Sequence, residues 1–429
     1  MTDQQDGSII KGENSSLSKA ATSGNPIASR MAGDLLSRVK GDQIVQERIQ
    51  LGDYSFRPQD HRQVMKWAET FKIDPIDLLG IFEKSGDFAV ADGAILSLRW
   101  HLEKLPLPSN DWEDGMSIKR LDIRGRFSKE QRCGYLCITG ESMPTLEDLT
   151  LWGLGTISVE ISRLPKLEWL RCASCNLAAL RLEEFPSLCG LNLRRNKLSQ
   201  LELSFLPGLL YLGISSNNLT EIDLICFPGI QSLSLSSNQI RNLDLKPTPL
   251  LTYMDCGNNQ LNELDLCSTP LLTELYCSNN QLNELDLCST PLLTKLDCSH
   301  NQLRLLDLRP TPLLTELNCS DNPLRDLGLR SVPHLHNLHC SRSQLNELDL
   351  SHTPTLNELW CDGNDLTKLD LSSVPRLDEL NCRNNQIMEL DLEPVPVLTR
   401  LGYDKYRIPN LDITHTPSLE QVNPDWMGT

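Results

Sequence analysis

Cysteine recurs at every twenty-first position through Cys256, Cys277, Cys298, Cys319, Cys340, Cys361 and Cys382. The same register reaches forward to Tyr403 and back through Leu235, Ile214, Leu193, Cys172 and Leu151, making thirteen registers without an insertion. A unit this short cannot bury its own apolar face, so the chain must stack unit on unit into a solenoid.

The other positions keep the phase. With Cys277 as reference, the unit reads Leu275-x-Cys277-x-x-Asn280-x-Leu282-x-x-Leu285-x-Leu287, followed by Pro291 and Leu293. Proline marks every unit from Pro144 to Pro417. This pattern resembles the leucine-rich repeat, L-x-x-L-x-L-x-x-N-x-L, over about two thirds of the chain. The resemblance implies an α/β-type solenoid: a leucine-rich repeat horseshoe with a parallel concave β-sheet, preceded by a small α-helical amino-terminal cap domain. The expected divisions are a disordered leader over 1–26, a helical domain over 27–108, an irregular first repeat over 109–143, repeats over 144–414 and a carboxyl-terminal cap over 415–429.

Physical chemistry assigns the columns their roles. In Leu275-Tyr276-Cys277 the alternation is that of a strand, with Leu275 and Cys277 inward and Tyr276 on the concave side. Asn196, Asn217, Asn238, Asn259, Asn280, Asn301, Asn322, Asn364 and Asn385 are expected to stack as a ladder bonding buried backbone, interrupted at Cys175 and Ser343. The cysteine column reads as small packing thiols, with neither disulfide nor metal role. Cys133-x-x-x-Cys137 and Cys172-x-x-Cys175 match metal-ligand spacing only loosely. A second column, Asp223 to Asp412, sits within L-D-L steps and is expected to be solvated or bonded to nearby hydroxyls. It lacks the glycine-rich loops of calcium-binding repeats. Turns such as Ser289-Thr290-Pro291 are too short for a full helix, so the outer side should be extended or 3₁₀-like.

Charge narrows the partners. The 429 residues carry 40 Lys+Arg against 57 Asp+Glu, a net of −17, and residues 144–429 hold −15 of it. That balance disfavours nucleic acid, whose phosphates are held by displacing counterions with Lys and Arg. No apolar run approaches the roughly 20 residues of a membrane span, and Met1-Thr2-Asp3-Gln4-Gln5-Asp6, with neither a basic nor an apolar stretch, is not expected to be a classical secretory signal. Fifteen cysteines, an odd number, then suggest folding under reducing conditions.

The first 26 residues hold fourteen Ser, Thr, Asn, Gln or Gly and read as disordered. Amphipathic spacing from Ile27 through Ile49 predicts one or two helices, followed by helices over 58–71, 76–83 and 87–104. The helix over 58–71 is expected to bury Val64, Met65, Trp67, Ala68 and Phe71. Leu121-Asp122-Ile123 has the strand signature but precedes Leu149-Thr150-Leu151 by more than one repeat, which predicts an irregular first repeat with an insertion.

No nucleotide-binding, serine-hydrolase or zinc-protease motif is present, so the chain is expected to be non-enzymatic and without cofactor. His334-x-His336-x-x-His339 places only His339 on a strand, which argues against a metal. What remains is the concave surface, whose twelve steps of about 4.8 Å span roughly 58 Å, room for a protein rather than a small-molecule substrate. The candidate binding residues there are Trp169, Arg171, Tyr211, Tyr253, Asp255, Tyr276, Asp297, Asn318, His339, Trp360 and Asn381. Tyr and Trp are common interface anchors, and the acidic stripe between them favours a partner with basic surface.

The disordered leader, helical cap and repeats resemble, as a plan, the repeat-only leucine-rich effectors that bacteria inject through type III secretion, with a unit closer to the internalin type. That resemblance implies bacterial origin, export into a host cell and scaffolding of a host protein. The last cysteine, Cys382, belongs to the core column, which argues against a thioester ligase. Two alternatives remain: an internal bacterial scaffold or regulator, and an F-box-like adaptor suggested by Pro75-Ile-Asp-Leu78-Leu79-Gly-Ile81-Phe82 with Trp100 downstream.

Overall fold

The computed structural model describes residues 49–51, 54–84, 88–91, 94–101, 112–125, 135–155, 158–182 and 184–422. The chain divides into two units, Met1–Gly208 and Leu209–Thr429. The leader, the helices expected between Ile27 and Val45, Cys133 and Trp426 lie outside the described residues.

In the first unit, β1 (Ile49–Leu51) pairs antiparallel with β2 (Tyr54–Phe56) where helix was expected at Ile49. Helix α1 (Pro58–Phe71) starts on a proline, whose missing N–H no helix needs at that position. It ends where Lys72 turns left-handed at φ 55° and Ile73 N–H returns to the Ala68 carbonyl at 3.0 Å. Val64, Trp67 and Ala68 are buried as expected, but Met65, one step around the helix, is 40% exposed. Helix α2 (Pro75–Lys84) buries Leu78, Leu79 and Phe82. Trp67 gathers the core, meeting Phe82, Trp100 and Trp112 edge-on at ring distances of 6.0, 5.1 and 5.7 Å. Of the F-box-like stretch, Leu78, Leu79, Phe82 and the downstream Trp100 therefore face inward, whereas Ile76 is exposed.

The expected helix over 87–104 is instead a hairpin, β3 (Phe88–Ala91) and β4 (Ala94–His101). Two signals decided against helix: the turn dipeptide Asp92-Gly93, and a period of two in which Leu98 and Trp100 are buried while Ser97 and Arg99 are half-buried. β4 pairs parallel with β5 (Arg120–Arg124), so the parallel sheet begins one strand before the expected first repeat. The long step after β5 is spanned by a strand of its own. β5 pairs directly with β7 (Asp148–Trp152), while the intervening β6 (Tyr135–Thr139) pairs with β8 (Ser158–Ser162) in a separate two-stranded sheet. β9 (Trp169–Ala173) and β11 (Gly190–Asn192) extend the main sheet in register, and β10 (Arg181–Leu182) pairs with β12 (Glu202–Leu203).

In the second unit every repeat contributes one three-residue strand: β13 (Tyr211–Gly213), β14 (Ser232–Ser234), β15 (Tyr253–Asp255), β16 (Glu274–Tyr276), β17 (Lys295–Asp297), β18 (Glu316–Asn318), β19 (Asn337–His339), β20 (Glu358–Trp360), β21 (Glu379–Asn381) and β22 (Arg400–Gly402). All pair parallel with a shift of one repeat, as in Tyr253↔Glu274 and Asp255↔Tyr276. The ladder continues one register past the expected cap boundary, where β23 (Gln421–Val422) pairs with β22.

The cysteine column is buried, from Cys256 at 1% exposure to Cys382 at 3%, and the fourteen described cysteines are free thiols. Burial pushes Cys319 and Cys382 up to about 12, which leaves these thiols protonated and inert at neutral pH. The asparagine ladder forms as expected. Asn280 Nδ2 donates to the carbonyls of Cys256 and Cys277, both at 3.1 Å, while its Oδ1 accepts the N–H of Leu261 at 2.9 Å. The interruptions are chemical substitutions rather than gaps: Cys175 Sγ bonds Leu151 O and Ser343 Oγ bonds Cys319 O, each reaching into the preceding repeat like the asparagines. On the outer side, Thr290 N–H bonds Leu287 O at 3.0 Å and Leu293 N–H bonds Thr290 O at 3.2 Å, the tight turns predicted. The aspartate column is fixed by backbone more than by hydroxyls. Asp265, Asp286 and Asp370 each accept the N–H two residues on at 2.9 Å, closing a small turn.

Candidate protein-binding face

From β14 to β20 the burial pattern is the same: the middle residue is buried and the first and third are half-exposed. Each strand therefore offers two side chains to one face, and the strand ladder sets them in two parallel columns. Of the expected site residues, Tyr211 and Tyr253 lie in the first column and Asp255, Tyr276, Asp297, Asn318, His339, Trp360 and Asn381 in the second. Trp169 and Arg171 occupy the equivalent places on β9, in the other unit.

The polar members of the second column hold structural bonds that the sequence did not reveal. Asp255 Oδ1 accepts Gly257 N–H at 3.1 Å, Asp297 Oδ1 accepts Ser299 N–H at 3.0 Å and Asn318 Oδ1 accepts Ser320 N–H at 3.2 Å. Each terminates its strand in an Asx turn, so a polar residue there serves the fold first. Asn381 departs from expectation further: it is only 4% exposed. Its amide leans across Gly402, where an added Cβ would lie 2.7 Å from Asn381 Oδ1, and donates to Asp362 Oδ1 at 3.2 Å.

The aromatic residues meet side chains of neighbouring repeats. Tyr253 and Tyr276 pack at 5.7 Å between ring centroids, and Tyr276 donates its hydroxyl to Glu274 Oε2 at 3.0 Å. Burial, and then the bond to Glu274, hold the Tyr276 phenol well above its ordinary value, so it remains a donor. His339 stacks flat on Trp360 at 4.5 Å and 10°, and Glu358 fixes it through Oε1 at 3.1 Å from Nε2 while accepting Asn337 Nδ2 on its other oxygen at 3.0 Å. Tyr211 lies over Gly213, where an added Cβ would fall 2.6 Å from its hydroxyl. On β9 the Trp169 ring covers Gly190, and the Arg171 guanidinium stands 4.6 Å over that ring while bonding Asp148 at 2.7 Å.

Beside the His339–Trp360 stack is a hollow of about 350 Å³. Its rim includes Arg342, which grips Asp321 through two bonds of 2.7 Å, and Asp362, which accepts Ser341 Oγ at 2.6 Å. Ser299, Ser320 and Ser341 line it as well, and their small side chains leave the space open. The signal for this was in the sequence as the recurring Cys-Ser step after the strand, which has no large side chain to mark it. Among the described residues no group of three His, Cys, Asp or Glu converges to hold a metal, and no helix is long and apolar enough to cross a membrane.

Compared with known proteins, the chain matches no protein-family model and no curated protein. Solved structures match it well. The functional domain of InlJ from Listeria monocytogenes, described as including a cysteine ladder, is 32% identical with a TM-score of 0.60. The chain is an internalin-like leucine-rich-repeat protein. The match covers 67% of this chain and 66% of the InlJ domain, just under two thirds of that structure. A leucine-rich-repeat protein from Leptospira interrogans shares the fold at 20% identity, over 66% of this chain and 84% of its own, with a TM-score of 0.53. YopM from Yersinia enterocolitica is 24% identical over 81% of this chain and 77% of its own, with a TM-score of 0.49. Internalin-like repeats account for the period, the parallel strands and the buried cysteine column together.

Proposed function

We propose that this internalin-like chain is a non-enzymatic scaffold that binds a partner protein on the sheet face of its second unit. The observation that carries the reading is the pair of aromatic clusters, Tyr253–Tyr276 and His339–Trp360, held half-exposed by side-chain contacts across repeats. Rigid aromatic side chains bury large area on binding at little entropic cost, which makes them effective anchors. Glu274, Glu316 and Glu358 stand among them, so the complementary partner carries basic surface. The hollow beside Trp360 receives one side chain of that partner.

The composition of residues 1–26, with its excess of small polar residues, supports a second element of the proposal: export of the protein as a bacterial effector that acts on a host protein. Fusion of residues 1–50 to a reporter tests it, and secretion independent of a type III system would remove it. The binding face is tested by capture from host-cell lysate with wild type beside a Tyr276→Ala, Trp360→Ala double variant of unchanged circular dichroism. A partner lost from the variant supports the face. A partner held equally by both places binding elsewhere.

A further inference from the structure

Four exposed leucines stand one repeat apart: Leu250, Leu271, Leu292 and Leu313, at 44, 40, 41 and 44% exposure. The core does not need them, because the next residue in each repeat, Leu251, Leu272, Leu293 or Leu314, is the buried one. Nor does the fold require leucine there. The same position is Gly229 in the repeat before and His334, Thr355 and Arg376 in those after. Contiguous exposed apolar surface of this kind marks interaction sites.

Each of these leucines stands in a turn closed by the next leucine's N–H on a threonine carbonyl at 3.2 Å, three residues before the first sheet-face residue of its strand and so at most about 10 Å from it along the chain. They therefore edge the amino-terminal ends of β15 to β18. The threonines between, Thr252, Thr273, Thr294 and Thr315, already donate their hydroxyls to carbonyls of the preceding repeat at 2.9 to 3.1 Å. The face of the same four strands bears Asp255, Glu274, Asp297 and Glu316 against one cation, Lys295, which is itself paired with Glu316 at 3.0 Å. An apolar rim and an acidic, tyrosine-bearing face thus coincide over the same four repeats.

Resting on the sheet-face reading above, we infer that residues 250–318 dock a basic, amphipathic segment of the partner protein, its apolar side on the leucine rim and its Lys or Arg side chains on the carboxylates. Charge selects among the occupants. A second copy of the chain would set the same carboxylates against one another, and an anionic membrane would be repelled by them. Four strands at about 4.8 Å cover roughly 14 Å from first to last, the length of about ten helical residues.

The test uses the full chain and a fluorescein-labelled helical peptide of Leu and Lys at amphipathic spacing, read by anisotropy. Twin peptides carry Glu for Lys or Ser for Leu. The expected result is saturable binding of the Leu/Lys peptide alone, weakened by salt and at least tenfold by either Leu271→Ser with Leu292→Ser or Glu274→Gln with Glu316→Gln. Glu284→Gln, exposed outside the strand row, should leave it unchanged. No binding, binding indifferent to the leucine substitutions, or equal binding of the Ser-for-Leu twin would overturn the inference. So would sedimentation showing a dimer that the leucine substitutions dissolve. Peptide failure alongside lysate capture lost in the Tyr276→Ala, Trp360→Ala variant would refute this surface and leave the proposed function standing. Peptide binding alongside undiminished capture would do the reverse.

Discussion

The two units solve the same problem, burying backbone and apolar surface, by opposite means. From Leu209 onward one bond pattern repeats: an asparagine in each of most turns ties its own repeat to the one before, a thiol fills the space beneath, and an aspartate closes the outer turn. The first unit instead packs unlike pieces around Trp67 and leaves buried polar atoms without hydrogen-bond partners among the described residues, namely Asp60 Oδ2, Gln63 Nε2, Trp67 Nε1 and Trp112 Nε1. Periodicity satisfies polar groups wholesale, whereas an irregular cap must satisfy each one separately. Where the bonds recur, the side chains still available for recognition are those on the sheet face and its rim.

The largest effect should come from breaking the recurring bond. Asn280→Ala strands the Leu261 N–H in the interior and takes one of two amide donors from the carbonyls of Cys256 and Cys277, which keep Asn259 and Asn301, and is expected to cost about 3 kcal/mol in urea denaturation. Asn280→Ser should cost roughly half as much, because Ser343 already performs the donor half of this task. Equal losses would mean that the Ser343 substitution depends on its own neighbourhood.

The first unit offers the opposite experiment, a gain. Asp60 is fully buried with only Oδ1 bonded, to Ile95 N–H at 3.3 Å, and burial raises it from 3.8 to about 6. The folded state therefore holds a proton that the unfolded state has released between those values, and stability falls as pH rises through them. Asp60→Asn should remove that slope and stabilise the first unit by about 2 kcal/mol at pH 7, read from denaturation at pH 4 and pH 7. An unchanged slope would show that another group carries it.

Smaller effects test the columns of the second unit. Cys298→Ser places a hydroxyl where a weakly polar thiol was buried and should cost about 1–2 kcal/mol, more than Cys298→Ala if packing polarity rather than volume governs the column. The aspartate column should act only in acid. Backbone N–H donors hold Asp265, Asp286 and Asp370 below the usual carboxylate range, and the Arg309 side chain, with its N–H, brings Asp307 to about 2. Their contribution is complete above the ordinary carboxyl range and is lost as pH falls toward 2, visible as a late acid transition that Asp307→Asn makes shallower.

The repeats were legible because their information is redundant: one register of Cys277, Asn280 and Leu282 predicts all the others, and a sheet-face residue follows from counting. The first unit before β7 had no such redundancy. Residues 87–104 suit a helix by composition, and it is the pairing of 88–91 with 94–98 and of 97–101 with β5 that makes strands of the described part. At the candidate site, counting placed Tyr276, His339 and Trp360 correctly on the face but could not show which side chains lean on one another from repeat to repeat. Nor could it show that Asp297 ends a strand, since an acceptor for a backbone N–H and an acceptor for a partner look alike in sequence. The leucine rim was hidden by its own regularity, because Leu292 beside Leu293 reads as core until exposure separates them.

The central claim, that the partner sits on the sheet face of the second unit, is tested most directly by photo-crosslinking from two positions in one repeat array. A photoreactive residue at Asn318, on the face, is set against one at Glu284, exposed outside the strand row. Crosslinks to a partner protein from Asn318 and none from Glu284 are the predicted result. Crosslinks from Glu284 alone would contradict it.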